Sequence, residues 1–260
     1  MKISIITPSF NQGRFIERTI KSVLDQRGDF ELEYIVFDGG STDNTLDILR
    51  EYEGRIDWKS EPDTGQIDAI NKGFRRATGD VVGWINSDDL LQPGALALVK
   101  QVFENDPNLQ WVHGRCDIID EHDRVIRNVI SAYKHWCAGR YSYSRLLREN
   151  FISQMTVFWR RSLFDKVGLL DPELPLAFDY DLWLRFGKIS DPRYLKDRLA
   201  CFRWYQTSKS GSNYQKQFKE NYRVAEKHAP EQRWMLFVKR LRAACFVTGY
   251  KIMSLRRNAL

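Results

Sequence analysis

The sequence has no apolar run free of charges and long enough to cross a bilayer, no CxxC pair, no GxxxxGK[ST] loop and no internal repeat. These absences exclude a membrane-spanning helix, a paired-cysteine zinc or redox site, P-loop phosphate chemistry and a solenoid. Cysteine is scarce as well: Cys116, Cys137, Cys201 and Cys245 lie far apart, which fits a reduced, cytosolic setting. The N-terminus, MKISIITPSFNQ, turns polar after six residues and does not read as a secretory leader.

What is present is the composition of a folded globular chain: 43% hydrophobic, 28% charged and 13% aromatic over 260 residues. The formal charge of +6 is unevenly spread, because residues 211–260 hold eleven Lys or Arg against three Glu. A nucleic-acid binder spreads cations over its working face, so nucleic acid is not expected as a partner; a basic tail meeting an anionic surface is.

Hydrophobic spacing predicts strands at Lys2–Thr7, Glu33–Phe37, Ile56–Ser60 and Val81–Ile85. Helices are predicted between them over Gly13–Gln26, Ser41–Tyr52 (capped by Ser41 or Thr42) and Gly65–Ala77. Such alternation implies an α/β fold with a mainly parallel sheet covered on both faces. After Pro93 comes a helix over Gly94–Asn105, then strand-like stretches at Gln110–His113, Arg124–Val129 and Met155–Trp159, a helix over Asp179–Phe186, and a mostly helical pattern beyond Lys216.

Ligands of parallel sheets bind beyond the carboxyl ends of the strands, and acidic residues follow three of them: Asp38, Asp63, and the pair Asp88 and Asp89. Singly, each could cap a helix or close an Asx turn. Together they suit a ribose, a base edge and a divalent metal bridging a diphosphate. The two glycines of Asp38-Gly39-Gly40-Ser41 lack dinucleotide spacing.

The runs ISIITPSFNQGRFIERTIKSVLDQ, EYIVFDGGSTDNTLDIL, SEPDTGQIDAINKGFRRATGD and VVGWINSDDLLQPGAL arrive in order over the first 100 residues and resemble the family 2 glycosyltransferases, whose fold is called GT-A. FISQMTVFWRRSLFDKVGLLD and FDYDLWLRFG extend the resemblance to about residue 210. It implies a GT-A domain over residues 1–212, with a nucleotide-sugar half (1–100) and an acceptor half (101–212), followed by a helical tail (213–260). It also implies inverting transfer of a sugar from a nucleotide diphosphate sugar, a UDP-sugar favoured, to an acceptor hydroxyl on a glycan or lipid-linked precursor, with Mg²⁺ or Mn²⁺.

Carried over residue by residue, Thr7, Pro8, Ser9, Asp38, Asp63, Gln66, Asn86, Ser87 and Asp88 would meet the nucleotide sugar, and Asp88 and Asp89 the metal. Asn86 stands where the family's motif is usually acidic, and Tyr205 where a histidine is frequent. Asp179 would be the general base. Asp181, two residues on, faces the other way along a helix and suits a salt bridge or cap. Arg203, Lys209 or Ser210 could neutralise the departing diphosphate. His113 reads as a core residue.

Tyr133, Trp136, Tyr141 and Tyr143 fall in the stretch that faces the acceptor, or else cover the core; Trp136, Gln154 and Trp183 are carried as acceptor-side candidates. Trp234–Leu255 mixes apolar residues with Lys239, Arg240, Arg242 and Lys251, which suits a basic amphipathic helix lying on an anionic leaflet, or docked on the protein's own body or a second copy. The expected setting is cytoplasmic, peripheral to the membrane. A nucleotide-sugar hydrolase or pyrophosphorylase, and a nucleotide-binding membrane module without turnover, are the alternatives.

Overall fold

A computed structural model describes residues 1–242. The chain alternates β1 (Lys2–Ser9), α1 (Ile16–Leu24), β2 (Glu31–Asp38), α2 (Thr45–Glu51), β3 (Asp57–Ser60), α3 (Gln66–Arg76) and β4 (Val81–Trp84). It continues through β5 (Leu90–Leu91), α4 (Ala95–Asn105), β6 (Trp111–Ile119), β7 (Val125–Ile126), α5 (Asn128–Ala138), α6 (Tyr143–Arg148), a 3-10 turn (Gln154–Thr156) and β8 (Phe158–Arg160). α7 (Leu163–Val167), α8 (Phe178–Gly187), β9 (Arg193–Arg203), α9 (Lys209–Ser212) and α10 (Tyr214–His228) follow, and residues 233–242 are again helical. The part of the expected basic helix beyond Arg242 lies outside the described residues.

The sheet order is β3-β2-β1-β4-β8-β6-β9-β5, with β7 paired to β6. β1 to β4 are mutually parallel, β8 runs antiparallel to both β4 and β6, and β6 pairs parallel with β9. The parallel strands are apolar because helices cover both faces: α1 turns Ile16, Ile20 and Val23 inward, and α3 turns Ile67, Ile70 and Phe74 inward. α3 crosses β1 so closely that a Cβ on Gly73 would stand 2.4 Å from the Ile6 side chain.

The second half of the chain is held by aromatics. Trp183 of α8 stacks between Trp84 and Trp111, with ring centroids 5.5 and 6.1 Å away, and is wholly buried. Trp159 closes the cluster edge-on at 6.0 Å. Such rings bury large apolar areas and prefer offset or edge-on contacts, which fixes α8 rigidly against the sheet.

Several sequence expectations differ from this architecture. α2 begins at Thr45 rather than Ser41: the Ser41 hydroxyl is tied into the loop, accepting from Asn11 N (2.7 Å) and donating to Asp38 Oδ1 (2.5 Å), and neither it nor Thr42 caps the helix. The strand expected over Arg124–Val129 is two residues long, and helix α5 takes over at Asn128. Met155 lies in a 3-10 turn before β8. The eleven-residue β9 had no sequence signal, its alternation being masked by five charged residues. Of the helical tail expected from residue 213, Val224, Ala225, Ala229 and Leu236 join the core cluster around α8.

Candidate active site

A cleft of about 900 Å³ opens beyond the carboxyl ends of β1 and β4, bounded by strand-end loops on one side and by α5, α8 and α10 on the other. On the strand side, Pro8 and Ser9 end β1, and the Ser9 hydroxyl is buried with no hydrogen-bond partner. An orphaned polar atom on a cleft wall is a group that a bound ligand can satisfy. Thr7 is one step behind, buried, with its hydroxyl 3.1 Å from Tyr34 OH.

Asp38 is buried and its oxygens are consumed locally. They accept from Gly40 N (3.0 Å), Ser41 N (2.8 Å), Ser41 Oγ (2.5 Å) and Ser60 Oγ (2.7 Å), so the side chain folds the loop after β2 and does not reach the cleft itself. Asp63 does line the cleft, with Oδ1 accepting from Gly65 N at 2.8 Å. It sits so near Gly39 that a Cβ there would lie 2.7 Å from its Oδ2.

An amide relay crosses the floor. Lys209 Nζ donates to Gln66 Oε1 (2.9 Å), and Gln66 Nε2 donates to Asn86 Oδ1 (2.8 Å). Asn86 Nδ2 donates both to Asp89 Oδ2 (3.0 Å) and to Gln154 Oε1 (3.1 Å). Gln154 Nε2 is committed to the Trp84 carbonyl at 2.7 Å, so its oxygen must face Asn86, and only an amide NH₂ at position 86 can answer both acceptors. A carboxylate could not.

Asp88 and Asp89 part ways. Asp88 faces the cleft beside Ser87 and accepts from Tyr205 OH at 3.0 Å; burial raises its pKa. Asp89, expected at the metal with it, is wholly buried off the cleft, where Oδ1 accepts from Arg203 N (2.8 Å) and Oδ2 from Asn86. Burial, with the neighbouring Asp88 charge, pushes its pKa well above the usual carboxylate value. Among the described residues no group of three or more His, Cys, Asp or Glu is arranged to hold a metal. The donor set therefore fits a hard divalent cation through the Asp88 carboxylate alone, with substrate phosphates and water as the other ligands.

Arg203, expected as a free counter-ion, is wholly buried. Its guanidinium donates to the carbonyls of Asp88 (2.8 Å) and Asp120 (2.7 Å) and pairs with Asp123 (2.5 Å), pinning the loop that carries Asp88. Lys209 reaches the cleft, as Lys134 does on α5: its ammonium lies 5.4 Å over the Phe178 ring, and burial lowers its pKa.

Asp179 stands on the opposite wall, in the first turn of α8, with Oδ1 accepting from Tyr180 N at 2.7 Å; burial raises its pKa. Glu220 of α10 accepts from Leu176 N (2.7 Å) and Ala177 N (2.6 Å), setting the turn from which α8 starts. Asp181 points away into an ion pair with Arg185 (2.8 Å) and a hydrogen bond with His228 (2.9 Å). Burial pushes the Asp181 pKa up, but the His228 and Arg185 contacts outweigh it and hold the pKa below the ordinary value.

Among the acceptor-side candidates, only Gln154 lines the cleft. Trp183 is core, and Trp136, half exposed on α5, is outside the lining. Tyr141 and Tyr143 pack against the core, and so does His113, whose pKa burial lowers to about 3. Lys134, Asn150, Ser153, Gln217 and Asn221 do line the cleft, yet none follows a strand of the parallel sheet, so no positional signal marked them.

The glycosyl transferase family 2 model matches residues 4–168. The chain belongs to that family. An uncharacterized glycosyltransferase of Nostoc sp. is 36% identical over 130 residues, 48% of this chain and 40% of that protein. One of Mycobacterium tuberculosis is 31% identical over 204 residues, 77% of this chain and 74% of the other. Escherichia coli chondroitin synthase is 29% identical over 196 residues, 74% of this chain but 27% of the synthase. The chain thus spans well under half of two of these relatives.

Among solved structures, S. aureus TarS 1-349 in complex with UDP-GlcNAc superposes with TM-score 0.66 at 18% identity, covering 89% of this chain and 67% of that one. The mannosyltransferase PcManGT of Pyrobaculum calidifontis, in complex with GDP-Man and Mn²⁺, superposes with TM-score 0.63 at 16% identity, covering 97% and 80%. The fold is that of the GT-A glycosyltransferases, as the sequence resemblance implied.

Proposed function

We propose that this glycosyltransferase moves a sugar, with inversion, from a nucleotide diphosphate sugar to an acceptor hydroxyl on a growing glycan or its lipid-linked precursor. One observation carries the reading: a single cleft has the strand-end groups Ser9, Asp63, Gln66 and Asp88 on one wall and a desolvated carboxylate, Asp179, on the other. An acceptor hydroxyl held against Asp179 loses its proton to it as the oxygen attacks the anomeric carbon, while the nucleoside diphosphate leaves from the opposite face.

Asp179 suits that task because burial makes it a stronger base than an ordinary carboxylate. Lys209, anchored on Gln66, offers a cation for the charge that develops on the departing diphosphate. A Mg²⁺ or Mn²⁺ ion, when bound, would be held by Asp88 and would neutralise the same phosphates. UDP-sugars are the favoured donors, with the UDP-GlcNAc complex of TarS as support; the GDP-Man complex of PcManGT keeps GDP in the test.

The test is a thermal-shift screen of UDP, GDP, dTDP and CDP, each with and without Mn²⁺. A nucleotide at a hundred times its Kd adds about 2.7 kcal/mol of stability, a rise in Tm of roughly 5–11 °C for a chain of this size. One metal-dependent nucleotide hit is expected. No shift with any nucleotide at millimolar concentration would remove the donor site from the account.

A further inference from the structure

Two stretches of the chain carry cations without a single acid. Arg124–Arg148 holds six Lys or Arg and no Asp or Glu, and Arg233–Leu260 holds seven and none. The fold brings the described parts of both together. Lys239 Nζ donates to the Leu147 carbonyl at the end of α6 (3.1 Å), and Arg242 pairs with Glu149 (2.9 Å) and donates to Tyr133 OH of α5. Glu149, the first acid after α6, is thereby neutralised.

The outer surfaces of these joined elements are apolar and aromatic. On the 233–242 helix, Leu236 and Lys239 face the body, whereas Trp234, Phe237 and Leu241 are 75, 50 and 51% exposed, with Arg233 and Arg240 exposed alongside. Trp234 and Phe237 stack at 5.6 Å. On α5, Val129 and Trp136 are 83 and 50% exposed, and the guanidinium groups of Arg140 and Arg145 lie 4.7 and 5.2 Å over the Trp136 ring. Five of the eight large apolar side chains exposed among the described residues sit on these two helices.

We propose that this face seats on an anionic lipid bilayer. Tryptophan and phenylalanine rimmed by arginine is the composition that partitions into the headgroup boundary, where rings enter the acyl edge and guanidinium groups meet lipid phosphates. The side chains of Ile130, Ser131 and Lys134, on another face of α5, line the cleft. The helix that would touch the bilayer is therefore also a wall of the catalytic cleft, and a bilayer there delivers a lipid-linked acceptor to Asp179. The proposal goes beyond sugar transfer and stands or falls separately from it, because bilayer binding is read without donor or turnover.

The test is flotation of the full chain with vesicles of phosphatidylcholine alone or mixed with phosphatidylglycerol. Binding is expected only with phosphatidylglycerol, weakening as salt is added. Trp234→Ser with Phe237→Ser is expected to reduce it at least tenfold. Arg233→Gln with Arg240→Gln keeps the apolar face and is expected to reduce it about fivefold per cation removed. Trp136→Ser, on α5, is expected to weaken it too. All three variants should melt like the parent, since the altered side chains are exposed. Failure of the parent chain to bind anionic vesicles, equal binding by parent and variants, or a concentration-dependent dimer abolished by the Trp234 variant would each overturn the proposal.

Discussion

Replacing Asn86 by aspartate restores the acidic character usual for the family's motif, and the structure predicts that it harms this protein. Asn86 Nδ2 serves two acceptors at once, Asp89 Oδ2 at 3.0 Å and Gln154 Oε1 at 3.1 Å. A carboxylate at that position would turn both contacts into oxygen against oxygen. Losing the bond to a carboxyl and the bond to an amide costs about 3 kcal/mol, before any repulsion from the Asp89 carboxyl. For a chain of this length that is a fall in Tm of roughly 6–12 °C. The new carboxyl would be protonated more readily in the folded than in the unfolded state, so its penalty grows as pH rises above the ordinary carboxylate value and shrinks on acidification. Differential scanning fluorimetry from pH 5 to 8 reads both features, with Asn86→Ala as the control that loses the bonds without adding a carboxyl and should show a smaller loss with a shallower dependence on pH, coming only from the bond it removes from Asp89. A Tm for Asn86→Asp within a degree of the parent at pH 8 would refute the relay.

Glu220→Ala strands the buried-side amides of Leu176 and Ala177 before α8; kcat should fall with little change in donor affinity, and stability should drop by about 1–3 kcal/mol. Equal loss of donor binding and turnover would contradict that positioning role. Lys239 is buried with its pKa pushed down to about 7, so between there and its unfolded value near 10.5 the unfolded chain holds more protons and stability gains as pH rises. Tm should climb from pH 7 to 9 in the parent and less in Lys239→Met; parallel curves would refute this.

The parallel half of the fold was legible because its strands are short β-branched runs that stop in Asp, Gly or Asn, and its helices repeat their apolar residues every three or four positions. Val81–Trp84 and Gln66–Arg76 fall within a residue or two of their expected ends. β9 was not legible: Arg193, Lys196, Asp197, Arg198 and Arg203 break its alternation, and it is a strand because β6 pairs with it. The resemblance pointed to Asp179 as the base and helical periodicity set Asp181 apart from it, and α8 turns the two carboxyls to different partners as that periodicity demands. Position after a strand marked Asp63 and Asp88 but equally Asp38 and Asp89, whose carboxyls the protein uses internally. Which of two neighbouring acids faces the cleft depends on partners more than a hundred residues away, such as Arg203 for Asp89.

The role proposed for Asp179 is to take the proton from the attacking hydroxyl. Water can stand in for the acceptor, so the direct measurement is nucleoside diphosphate release from the donor identified by thermal shift, comparing the parent chain with Asp179→Asn. Equal donor affinity and a rate about 10²–10⁴-fold lower are expected in the variant. The parent should show an acidic limb lying above pH 3.8, because burial raises the Asp179 pKa and only the ionised carboxylate works. A variant that binds the donor and releases diphosphate at the parent's rate would contradict it.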